Sequence, residues 1–181
     1  MEEIEVPTEH LHEEIREKAE KEKERWIVYV ALSTAFMAVL AAVAGLLAGH
    51  HANEALIERV KASDQWNYYQ AKNLKAEIAA NTIKILNALP AKTPEVQQDN
   101  KDEIARYEKE KEAIKRTAEE AEKNSEQHLN RHVPLASAVT AFQIAIAISA
   151  IAILTKRKRL WYAGLILTLL GIFFLIQGIF P

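Results

Sequence analysis

The sequence predicts an all-α membrane protein with three transmembrane helices and a long antiparallel coiled-coil hairpin between the first and the second. Three observations carry this prediction. Charged residues are confined to blocks, each charge-free block is long enough to cross a bilayer, and the polar block between the first two is almost devoid of helix breakers.

The blocks are sharply drawn within a composition that is ordinary overall, 49% hydrophobic and 27% charged. No charged side chain occurs from Trp26 to Gly49, from Pro134 to Leu154, or from Leu160 to Pro181. A hydrocarbon core of ~30 Å needs roughly 20 apolar residues at a helical rise of ~1.5 Å. Soluble helices instead alternate polar and apolar residues at their own period. The first run is expected to remain as a span rather than be removed as a signal peptide. The long segment before it carries ten acidic and five basic residues, unlike a short basic leader.

The expected organisation is a cytoplasmic helix over 1–25, spans over 26–49, 134–154 and 160–181, a helical hairpin over 50–133 turning at about 90–94, and a basic loop over 155–159. In the first segment Pro7 and Thr8 supply a helix start, and Glu9, Glu13 and Glu14 suit the positive end of the dipole. Leu11, Ile15 and Ala19 give it only a thin apolar stripe. Lys156-Arg157-Lys158-Arg159 is a strong positive-inside signal, which places that loop and the N-terminus in the cytoplasm and the hairpin and Pro181 outside it. Trp26, Trp161 and Tyr162 stand at the cytoplasmic ends of the spans, where an interfacial aromatic belt belongs.

Both arms of the hairpin lack glycine and proline from His50 to Leu89 and from Glu95 to His132, and Pro90-Ala91-Lys92-Thr93-Pro94 separates them. On the second arm Ile104, Tyr107, Lys111, Ile114, Ala118, Ala121, Ser125, His128 and His132 follow alternating steps of three and four, a heptad seam. On the first arm Ile78, Ile85 and Leu89 form a stripe near the tip, and Leu56, Val60 and Leu74 form a looser one nearer the spans. So thin a core is marginal for a lone hairpin in water. Association of hairpins into a homo-oligomer is expected, against the simpler case of a monomer steadied by its spans.

Small residues recur at packing distances within the spans: Ala41, Gly45 and Gly49; Ala141, Ala145 and Ser149; Gly164, Gly171 and Gly178. Such spacing lets helix backbones approach, although alanine-rich helices also show it incidentally. No Asp, Glu, Lys, Arg or His lies between Trp26 and Gly49 or within the later two runs, which argues against a coupled transporter.

Two clusters stand out chemically. His128 and His132 lie four apart on one helical face, and His50 and His51 open the other arm. A turn near Lys92 brings the four towards one level, a set suited to zinc or copper. The alternative is interfacial or seam histidines that hydrogen-bond a neighbour, or imidazoles that repel on protonation. His10 and His12, two apart on a helix, diverge and are assigned no site. The run Asp64-Gln65-Trp66-Asn67-Tyr68-Tyr69-Gln70 is too aromatic for a solvated face. Trp66 and Tyr69 share a face opposite the region of Ala118, as a packing anchor or, with Tyr68, as a docking surface for another protein. The charge-dense stretch 101–123 reads as a solvated face with pairs four apart.

No cysteine is present, which removes disulfides and thiolate metal sites. The net charge of −2 gives no support for nucleic-acid binding. No phosphate loop, Ser-His-Asp set or zinc-hydrolase motif occurs, so no enzymatic activity and no resident cofactor are expected.

The runs Ala48-Gly49-His50-His51-Ala52-Asn53-Glu54-Ala55 and Lys61-Ala62-Ser63-Asp64-Gln65-Trp66-Asn67-Tyr68-Tyr69-Gln70-Ala71-Lys72 resemble a bacterial multi-pass membrane family, domain of unknown function 4337. The resemblance covers nearly the whole chain. It implies the same topology and a bacterial inner-membrane location, and it carries no activity. The expected role is an oligomeric inner-membrane scaffold or interaction protein with the lipid bilayer, further copies of itself and another protein as partners. A passive pore formed by oligomerisation and a metal-responsive accessory protein are the alternatives.

Overall fold

The computed structural model describes residues 7–88 and 94–180, and for 7–24 the backbone alone. These residues form three helices: α1 (Pro7–Ala88, 82 residues), α2 (Pro94–Thr155, 62 residues) and α3 (Lys158–Ile179, 22 residues). All three contain stretches long and apolar enough to cross a membrane by length and composition. Of the expected turn at 90–94, Pro94 opens α2, while 90–93, Leu89, and the side chains of His10, Leu11, His12, Ile15 and Ala19 fall outside what is described.

One difference from the sequence reading concerns continuity. The hairpin arms are not helices of their own, because α1 and α2 each run unbroken from a charged stretch into an apolar one. Pro134 lies inside α2. Its ring removes one backbone donor, and proline is tolerated within a helix where surrounding packing offsets that loss.

The chain divides into two compact units, Met1–Ala48 with Arg131–Pro181, and Gly49–Asn130. The first holds a core of Ala44, Ala48, Leu135, Ala138, Phe142 and Leu175. The side-chain sizes are inverted relative to a water-soluble core. Buried positions are largely small, such as Ala44, Ala138, Ala141, Ala145, Ser149, Ala152 and Gly164. Leu32, Phe36, Leu46, Leu154, Ile166, Leu169 and Phe173 are exposed.

The glycines of α3 are sockets. A Cβ on Gly171 would lie 2.7 Å from the Phe142 ring, one on Gly178 would lie 2.5 Å from Leu135 Cγ, and one on Gly164 would lie 3.0 Å from Ser149 Oγ. Large side chains of α2 therefore fill the spaces that glycine leaves. On α1, Gly45 meets only Val139, at 3.9 Å, and Gly49 meets nothing within 4 Å. The buried small residues of that helix are Ala44 and Ala48.

A short basic connection joins α2 to α3. The Arg157 amide donates to the Ala152 carbonyl and the Lys156 amide to that of Ile153, which is a Schellman closure. Lys156 occupies its left-handed position, with φ of 55°, where glycine is the usual residue. At the start of α3, Trp161 Nε1 donates to Ser33 Oγ at 3.1 Å, and Ser33 in turn donates to the Val30 carbonyl.

In the second unit burial on α2 follows the heptad positions read from the sequence. Lys111, Ile114, Ala118, Ala121 and Ser125 are buried, and Ile104, Tyr107 and His128 are half-buried. The facing positions of α1 are small: Ala55, Ala62, Ala76 and Ala79. Leu56, Val60, Leu74, Ile78 and Ile85, expected to line the hairpin seam, are instead exposed. Alanine lets two helices approach closely, and the half-buried Trp66 and Tyr69 supply the bulk on this part of α1.

Candidate functional site

The interior of the second unit is a ladder of polar contacts between α1 and α2. Ser125 Oγ donates to the Ala55 carbonyl at 2.8 Å, bypassing any side-chain partner. Trp66 Nε1 donates to Glu122 Oε1 at 3.1 Å. Lys111, buried on the seam, donates to Asn73 Oδ1 at 2.8 Å and to Glu108 Oε1 at 2.9 Å. Lys72 pairs with Glu110.

Aromatic rings cover these charges. Trp66 and Tyr69 meet edge to face with centroids 5.6 Å apart, and Lys111 Nζ lies 5.5 Å from the Tyr69 ring. Lys72 Nζ lies 5.2 Å from the Tyr68 ring and 5.3 Å from that of Tyr107. Such placements are attractive because the ring face carries negative charge. Of the aromatic cluster, Trp66 and Tyr69 are half-buried as a pair one turn apart, while Tyr68 is exposed.

The electrostatics follow from these pairings. The hydrogen bond to Glu110 raises the pKa of Lys72 above its ordinary value, and the same bond lowers that of Glu110. The bond to Glu108 raises that of Lys111 and outweighs burial, which acts the other way. Both lysines are held as cations.

Three of the four histidines lie in this unit. His51 and His128 face each other Nδ1 to Nδ1 at 3.0 Å, a bond that holds when one ring donates and the other accepts. The His50 ring stands 5.3 Å from that of His51, tilted by 54°. His132 belongs to the first unit, where its Nδ1–H donates to the Ala48 carbonyl at 2.9 Å and leaves Nε2 as the basic nitrogen. Among the described residues no group of three or more His, Asp or Glu side chains converges to hold a metal ion.

Sequence reasoning missed the partners of Trp66 and Lys111. Glu108 and Glu122 fall beside the heptad seam of α2, but the charge-dense stretch outside that seam read as a solvated face, and Asn73 on α1 carried no signal of its own.

These features define a class: an all-helical chain with three helices apolar enough to span a membrane by length and composition, in which the parts of α1 and α2 within Gly49–Asn130 meet through small and polar residues. Residues 26–181 match the family model described as Domain of unknown function (DUF4337), and the chain belongs to that family. No curated protein and no solved structure matches it.

Proposed function

We propose that the chain is a homo-oligomeric scaffold of the bacterial inner membrane, with the hairpin as its association module. The observation that carries this reading is a second seam on α1. Ile57, Val60, Asp64, Asn67, Ala71, Leu74, Ile78, Asn81 and Ile85 follow alternating steps of three and four, and every one of them is exposed. Ile57, Val60, Leu74, Ile78 and Ile85 are each between 53% and 62% exposed. A heptad seam of branched aliphatics is the surface that a coiled coil buries, and Asn67 and Asn81 within it suit register-setting pairing with the same residues of a second copy. Buried aliphatic side chains contribute roughly 1.5–3 kcal/mol each, which is ample for association once a few are covered.

The membrane reading is supported by the first unit, where large apolar residues face out and small ones face in. Water would favour the reverse, whereas lipid tails are as apolar as leucine and helices pack there through small residues. The orientation rests on the basic loop, with the hairpin outside the cytoplasm.

Native mass spectrometry of the detergent-released chain tests the role. Two or three copies that fall to one in a Leu74→Glu, Ile78→Glu variant are expected. A wild-type monomer would contradict it, and a ring of four or more would favour the passive pore.

A metal-responsive accessory role is favoured by one specific observation. The facing Nδ1 atoms of His51 and His128 stand close to the about 3.3 Å that separates two nitrogens on a tetrahedral zinc. The same spectra then show zinc or copper that is lost in His51→Ala, His128→Ala, and metal-free protein would remove this reading.

A further inference from the structure

Arg25, Trp26, Tyr29 and Lys158 line a cavity of about 330 Å³ within the first unit. Its volume lies at the lower end of the ~300–1,000 Å³ typical of small-ligand sites. Four properties mark it as a site for an anion. Arg25 and Lys158 come from different helices, and neither forms an ion pair among the described residues. Trp26 is only 7% exposed, and its indole N–H is buried without an acceptor. Burying a donor unpaired is costly, so a site that supplies an acceptor recovers that free energy. Lys158 is the first residue of α3, and the cap residue Arg157 makes no side-chain capping bond. The Leu160 amide donates to the Arg157 carbonyl, and with no side-chain cap the positive dipole end at Lys158 and Arg159 favours negative charge. No carboxylate lines the cavity among the described residues.

The position narrows the ligand. Arg25 directly precedes the apolar run of α1, and Lys158 sits at the start of the apolar α3. Tyr29 and Trp26 are amphipathic rings of the kind that settle at headgroup level. Arginine offers a planar fork that matches phosphate oxygens, and lysine adds a compact positive charge. We propose that Arg25, Trp26, Tyr29 and Lys158 form a binding site for the phosphate of an anionic phospholipid headgroup. The proposal rests on the membrane reading but is independent of oligomer formation and of which way the chain faces.

The test uses full-length protein, delipidated in detergent and offered equal amounts of phosphatidylglycerol and phosphatidylcholine, with bound lipid read by native mass spectrometry. Retention of the anionic lipid about tenfold over the zwitterionic one is expected, a ratio within reach of two charge-assisted contacts. Arg25→Gln, Lys158→Gln abolishes the preference. Trp26→Phe, which removes only the indole donor, weakens it several-fold. Lys156→Gln, Arg157→Gln, which alters cations outside the cavity, leaves it intact. Unchanged preference in the Arg25, Lys158 variant overturns the site, and so does an equal loss in the Lys156, Arg157 control, which would indicate diffuse attraction to the basic loop. Displacement of the lipid by millimolar inorganic phosphate keeps the phosphate site and assigns its source to the aqueous phase. Carbonate washing of cell membranes separates the two readings: protein that stays with the membrane yet shows no lipid preference lacks this site alone, whereas protein released into the supernatant contradicts the membrane reading beneath it.

Discussion

Glycine on α3 is a size requirement. At Gly171 and Gly178 any Cβ would enter the space of Phe142 or Leu135, and for Gly178 the Leu135 backbone nitrogen also lies only 3.3 Å away. Alanine is otherwise the better helix former by about 1 kcal/mol. Here overpacking is expected to reverse the sign, so that Gly171→Ala and Gly178→Ala each lose about 1–3 kcal/mol in unfolding from detergent. Gly49→Ala, with open space around it, is the control and should be neutral or gain up to about 1 kcal/mol. Trp66 makes a different residue-level case, because its ring packs on Tyr69 while its N–H serves Glu122. Trp66→Phe keeps most of the ring and is expected to cost about 1 kcal/mol in thermal unfolding, the net worth of one hydrogen bond. A change within experimental error would mean that the Glu122 contact does not stabilise the hairpin.

Within the hairpin, charge takes the place of bulk between α1 and α2. Glu110 has a lowered pKa, so its contribution is present above the ordinary glutamate value of 4.5 and is lost as pH falls through the lowered value. Lys72 and Lys111 have raised values, so theirs are present below 10.5 and are lost as pH rises through the raised values. The helical signal should therefore melt earlier on acidification below about pH 4.5, and Glu110→Gln should flatten that acid limb in circular dichroism without changing the neutral plateau's shape. An unchanged acid limb would show that the Lys72–Glu110 pair is inert. The helices and the seam of α2 were legible in the sequence, since block segregation, missing breakers and a step of three and four all survive without tertiary knowledge. The partner face of α1 was not. Its branched residues attracted the assignment, while the structure uses Ala55, Ala62, Ala76 and Ala79, whose small size gives no hydrophobic signal of its own. Of the four histidines grouped in the sequence, His51 and His128 face each other, while the His132 bond to a backbone carbonyl leaves no mark in sequence.

For the whole molecule, the two seams of α1 divide the work. One is small and faces α2, and the other is largely aliphatic and exposed, with Asp64, Asn67 and Asn81 along it; the oligomeric account assigns that face to a second copy. Because the chain has no cysteine, a single introduced thiol reports one position without background. The most direct measurement is oxidative cross-linking of Leu74→Cys and Ile78→Cys in native membranes, with Lys109→Cys on an exposed face of α2 as the reference. The oligomeric account predicts rapid disulfide-linked dimers from Leu74→Cys and Ile78→Cys and little from Lys109→Cys. Equal, slow cross-linking at all three positions would contradict it.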